Sequence, residues 1–211
     1  MDIVQADAAL AEQYAADIPE LVHATGPVSY DYHFGRRELF DALVRRSWLT
    51  PGSLFGWDGT RLAVENDTLL GIEIGFAGPE YRARQTALGP LWPDLLAAGE
   101  ATEGELSGVI ERSERASWLN PVLRSGIYYV HALSVKPDPR GKQVGMKLLT
   151  HAMVLGREQS CRALELDVLS DNPAVHFYRS MGLSLYVESR APEPQEYGVP
   201  PEWRMGIALQ E

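Results

Sequence analysis

The chain has 211 residues, 45% of them hydrophobic and 23% charged, a balance that suits one soluble globular domain of generous size. Its 29 acidic and 19 basic residues give a formal charge of −10, which argues against nucleic acid, whose binding draws on clustered Lys and Arg. A single cysteine, Cys161, excludes an internal disulfide. No cationic leader and no apolar run near the roughly 18 residues of a membrane span are seen, so no membrane partner and a cytoplasmic location are expected.

In chain order, Ile3-Val4 reads as the stub of a first strand, and Ala8 to Ala24 as helix, with Leu10, Tyr14, Ile18 and Leu21 at helical spacing and Pro19 at a boundary or kink. Tyr30-Asp31-Tyr32-His33-Phe34-Gly35 has no clear period and reads as an aromatic loop. Glu38 to Trp48 returns to helix. Arg61 to Glu65 and Leu69 to Phe76 form a hairpin about Asn66-Asp67. Residues 79–126 form a helical insert, with Tyr81 to Leu96 and Glu103 to Trp118 as its helices; it serves as spacer or as cover for a site. Tyr128 to Val135 is a strand, and Val144, Leu148, Leu149, Ala152 and Leu155 mark one face of the helix that follows. Ala163 to Val168 alternates as a strand, Asn172-Pro173 starts a short helix, and Leu183 to Val187 and Trp203 to Leu209 are further strands. Ala191 to Pro201 reads as a proline-rich arch, and Trp92, Trp118 and Trp203 as buried anchors. Helices, hairpin, insert, β-loop-α, β-α and β-β make a mixed α/β sheet.

Between the strand ending at Val135 and its helix lies Arg140-Gly141-Lys142-Gln143-Val144-Gly145. Free N–H groups at a helix start, two glycines for close approach and two cations suit a bound pyrophosphate. The pattern is neither Gly-x-x-x-x-Gly-Lys-Ser/Thr nor Gly-x-Gly-x-x-Gly, and the five histidines lack zinc-site spacing, so no metal is expected.

This loop, Leu133-Ser134-Val135 before it, and Asn172-Pro173-Ala174-Val175-His176-Phe177-Tyr178-Arg179-Ser180-Met181-Gly182-Leu183 after it resemble the GNAT superfamily of acyl-CoA-dependent N-acyltransferases. Gln143 departs from the usual glycine of the loop, whereas the second motif is intact. The resemblance implies an α+β fold with a mixed, mostly antiparallel sheet flanked by helices, acetyl-CoA as co-substrate, and transfer to a primary amine. It further implies that Leu133, Ser134 and Val135 accompany the pantetheine arm and that Arg140, Gly141, Lys142, Gln143, Val144, Gly145 and Met146 hold the pyrophosphate. Asn172 would contact the pantetheine region, and Tyr178 would stand by the sulfur and protonate the leaving thiolate.

Direct acyl transfer needs a neutral amine, a polarised carbonyl and a proton for the sulfur, but no covalent intermediate. His131 is a candidate base two residues before Leu133, on the same strand face by simple alternation, and Glu73 on the hairpin is a second. Tyr30, Tyr32, His33 and Phe34 are candidates for the acceptor pocket, or for an aromatic patch facing another subunit. The expected activity is acetylation of a small-molecule amine, with a non-catalytic acyl-CoA sensor as the alternative and a homodimer as a possible assembly.

Overall fold

Alternating apolar residues build a seven-stranded sheet, seen in a computed structural model that describes residues 1–119, 122–137 and 143–209. Its strands are β1 (Asp2–Gln5), β2 (Thr60–Glu65), β3 (Thr68–Ala77), β4 (Ile127–Val135), β5 (Ala163–Leu169), β6 (Ser184–Ser189) and β7 (Glu202–Ala208), in the order β1-β2-β3-β4-β5-β7-β6. All neighbours are antiparallel except β4 and β5, so the mixed, mostly antiparallel sheet is as expected. The β2–β3 turn uses left-handed Asn66 and Asp67, the conformation a two-residue hairpin requires.

Helices α1 (Ala8–Tyr14), α2 (Ile18–His23), α3 (Pro27–Phe34) and α4 (Arg37–Trp48) precede the hairpin. The insert holds α5 (Tyr81–Thr86), α6 (Trp92–Ala97) and α7 (Glu103–Arg115); then come α8 (Val144–Glu158), α9 (Ala174–Ser180) and α10 (Pro192–Tyr197). On one face of the sheet, Val44 and Trp48 of α4 pack with Ile18 and Val22 of α2 against Leu62, Ile72, Ile74 and Tyr129. On the other, Leu149 and Ala152 of α8 and Val175 and Tyr178 of α9 pack against Tyr128, Val130, Leu164, Leu166 and Met205. Among the described residues no helix is long and apolar enough to cross a membrane.

The sheet is open at its middle. Strands β4 and β5 pair only from Ile127–Ala163 to Val130–Leu166, whereas β4 continues beside β3 to Val135 and β5 beside β7 to Leu169. Past Val130 the two strands therefore separate and leave a gap.

Several elements differ from the sequence reading. The segment from Ala8 to Ala24 is two helices, because Pro19 cannot sit in a helix interior and instead occupies the first turn of α2. Tyr30 to Phe34 is helix rather than loop: Pro27 opens α3 and left-handed Gly35 closes it, while tertiary packing replaces the missing periodicity. Pro90 and Pro93 break Tyr81 to Leu96 into α5, a 3-10 turn and α6. The arch from Ala191 to Pro201 contains α10, with Ala191 and Val199 buried against Tyr32 and Ala116. Trp92 and Trp203 are half-buried, but Trp118 is 69% exposed.

Candidate active site

The edge of β4 is shaped by a bulge. Gly75 pairs with Val130 and Ile74 with Ala132, so His131 is the extra residue and the side-chain alternation slips by one. His131 lies against Phe55, with ring centroids 5.3 Å apart, and beside Tyr129 at 6.1 Å, on the α2–α4 face. Leu133 instead packs toward α8 with Val144 and Leu148. The expectation that His131 and Leu133 share a face is thus corrected: an inserted residue inverts the parity of everything after it. From His131 to Val135, the backbone edge away from β3 has no strand partner among the described residues.

The start of α8 lies beside that edge. Gln143 is the N-cap residue, in a left-handed conformation with φ 53° that a glycine would adopt without strain, and its side chain makes no capping bond. Val144 is buried, Met146 is exposed, and a Cβ on Gly145 would sit 3.7 Å from Val135 and 3.6 Å from Phe177. The first N–H groups of a 15-residue helix, with their positive dipole end, therefore lie close to the end of β4. Arg140, Gly141 and Lys142 lie outside the described residues.

A cavity of about 810 Å³ runs through the gap from one face of the sheet to the other. Tyr178, Ala174, Leu133 and Val168 line it on the α8–α9 side. Burial pushes the Tyr178 phenol up to about 12, so it is a neutral O–H donor, and it makes no hydrogen bond with any described residue. His131 lines the opposite part; both its ring nitrogens are buried without a partner, and burial lowers it to about 4, leaving a neutral imidazole. Asn172 also reaches the cavity, with its Oδ1 accepting from the Ala174 N–H at 2.9 Å and its Nδ2 donating to the Thr25 carbonyl at 3.3 Å. It thereby ties the start of α9 to the loop before α3.

Of the four aromatic candidates, Tyr30, His33 and Phe34 line the cavity. Tyr32 does not; it is buried with Leu119 and Leu169, its ring 5.3 Å from Tyr197, because a helix sends it to the side opposite Tyr30. Glu73 does not line the cavity either. It points to the α8 face, fully buried, where Tyr128 Oη donates to its Oε1 at 3.3 Å. Burial outweighs the pull of Arg61 and raises it to about 8. Gly75 makes room for this pair, since a Cβ there would stand 2.0 Å from Glu73 Oε1.

A further group lines the α2–α4 side. Arg204 donates through Nε to Asp167 Oδ1 at 2.6 Å, through Nη2 to Asp167 Oδ2 at 2.7 Å, and through Nη1 to Glu165 Oε2 at 3.1 Å. Tyr129 Oη adds a bond to Asp167 Oδ2 at 2.9 Å. Asp167 and Glu202 both face the cavity, with Tyr81, Gln85, Leu88 and Trp92 of the insert and Val109 and Ser113 of α7 opposite.

The sequence description of the Acetyltransferase (GNAT) family matches residues 73–183, more than half of the chain. The chain belongs to the GNAT acetyltransferase family. A comparison with curated proteins finds no match. Among solved structures, an N-acetyltransferase from Staphylococcus aureus Mu50 is similar with TM-score 0.71 and 15% identity, covering 98% of this chain and 100% of that one. A structure described as an acetyltransferase gives TM-score 0.69 and 17% identity over 100% of both chains. The PaiA N-acetyltransferase from Thermoplasma acidophilum, solved in complex with coenzyme A, gives 0.55 and 12% over 98% of both. At these identities the likeness speaks for the fold.

Membership of the GNAT family implies acyl transfer with acetyl-CoA as donor, and the chain's own residues fit such a ligand. An unpaired strand edge suits an amide-bearing arm, and a glycine-bearing helix start suits its phosphates. Sequence reasoning missed Asp167 and Glu202 as cavity groups. The alternation of Ala163 to Val168 placed Glu165 and Asp167 on one face; nothing local showed that this face meets a cavity.

Proposed function

We propose that this protein is an N-acetyltransferase that moves the acetyl group of acetyl-CoA to a primary amine of a small molecule by direct attack. One observation carries the reading: a single cavity crosses the open sheet and is lined by Tyr178 from one side and His131 from the other. Acetyl-CoA, when bound, supplies the thioester. The free edge from His131 to Val135 holds its arm as an added strand, and the N–H groups of Val144, Gly145 and Met146 face its phosphates. Tyr178 gives its phenolic proton to the departing thiolate. The neutral imidazole of His131 aims the amine and takes a proton from the nitrogen once the C–N bond has formed, when that nitrogen is far more acidic than a free ammonium. Residues of α5–α7 cover the chamber and keep bulk water from the thioester.

Release of free thiol from acetyl-CoA across a panel of primary amines tests the proposal. Amine-dependent turnover is expected. Tight acetyl-CoA binding without turnover on any amine would overturn it in favour of an acyl-CoA sensor.

A further inference from the structure

We infer that Glu202 is the ammonium-recognition residue of the cavity, and that the acceptor carries one positive charge at the end of an apolar or aromatic body. The inference rests on the N-acetyltransferase reading and deepens it. Three carboxyl side chains, Glu165, Asp167 and Glu202, lie near one guanidinium, and the three hydrogen bonds that Arg204 makes to them go to the first two. Glu202 is half-buried, lines the cavity and accepts no hydrogen bond from any described residue. A carboxyl with no donor, set in a largely apolar and aromatic chamber, is costly, and a cationic ligand removes that cost. The two unpartnered nitrogens of His131 face the same chamber and independently call for a polar ligand group.

The surroundings define the rest of the ligand. The phenols of Tyr30, Tyr81 and Tyr129 stand close enough to feel the charge of Glu202, and aromatic faces attract an ammonium. Leu43, Leu54, Phe55, Leu88 and Trp92 supply apolar wall. Of the acids that line the cavity, Asp167 is matched by Arg204 and Glu114 lies exposed on α7, so the inner chamber calls for one charge at Glu202, which disfavours a polyamine.

Proton balance gives an independent handle. The groups facing Glu202 are Asp167 of β5, Arg204 of β7, Tyr30 of α3, Tyr81 of α5 and Tyr129 of β4. Burial and the charge of Asp167 outweigh the attraction of Arg204 and raise Glu202 to about 8. At pH 7 it therefore holds a proton, which an incoming ammonium expels. Titration calorimetry of the full-length protein with 2-phenylethylammonium, 2-phenylethanol and putrescine, in buffers of different ionisation enthalpy, reads both effects.

The wild type should bind the monocation at least about tenfold more tightly than the alcohol or the dication, with proton release at pH 7. Glu202→Gln should bring amine and alcohol close to parity and abolish the release, while acetyl-CoA still raises its melting temperature. Equal affinities, undetectable amine binding, tighter putrescine, or undiminished discrimination in Glu202→Gln would each overturn the assignment. Failure of the wild type to bind acetyl-CoA would instead sink the N-acetyltransferase reading, and the cation preference would still be measurable.

Discussion

The phenol of Tyr178 is kept neutral by burial, so Phe removes a proton donor while preserving most of the packing against Phe177. Tyr178→Phe is expected to lower kcat by about 10²–10³-fold and leave the acetyl-CoA KM near its original value, measured by thiol release. Unchanged turnover would remove the tyrosine from the mechanism. Glu73, buried off the cavity, bears on stability. Its carboxyl is raised from an ordinary 4.5 to about 8, so the folded chain binds more protons than the unfolded chain between those values. Stability from this group is complete below about 4.5, falls as pH rises, and levels off above about 8. Urea titrations over that range should show a shallower fall for Glu73→Gln, with Glu202 contributing the remaining slope of the same sign. That Tyr178 lies at the cavity was legible because its signal is a local string of residues. That Glu202 lies there too was not, because its place depends on strands distant in sequence.

Helix α7 illustrates how an element's local chemistry supports the chamber. Thr102 Oγ1 accepts from the Glu105 N–H at 3.2 Å, and Glu105 Oε2 accepts from the Thr102 N–H at 2.8 Å, a reciprocal cap. Thr102→Ala is expected to cost about 1 kcal/mol in chemical denaturation. An unchanged midpoint would show that tertiary contacts alone hold the helix. Elements with sustained periodicity, such as α8, or with a turn pair, such as the β2–β3 hairpin, were legible from sequence. The short helices α3 and α10 were not: each is opened by a proline and closed by a left-handed glycine, and their side chains follow tertiary neighbours more than a repeat. The bulge at His131 was equally hidden, since the strand reads the same whether or not one residue is left over.

At the scale of the molecule, the fold class followed from hydrophobic patterning and the resemblance, while the depth and lining of the cavity arose from the insert meeting the open sheet. The two half-sheets are joined directly along only four residue pairs of β4 and β5. A donor arm laid along the vacant edge would extend that join. Saturation at about 100 times Kd would stabilise the fold by about 2.7 kcal/mol, seen as a higher melting temperature and slower amide exchange from His131 to Val135. Exchange unaffected there on acetyl-CoA binding would show that the arm lies elsewhere. With that arm in place the architecture would be an arch whose keystone is not part of the polypeptide, and resistance to unfolding would be tied to the supply of the co-substrate.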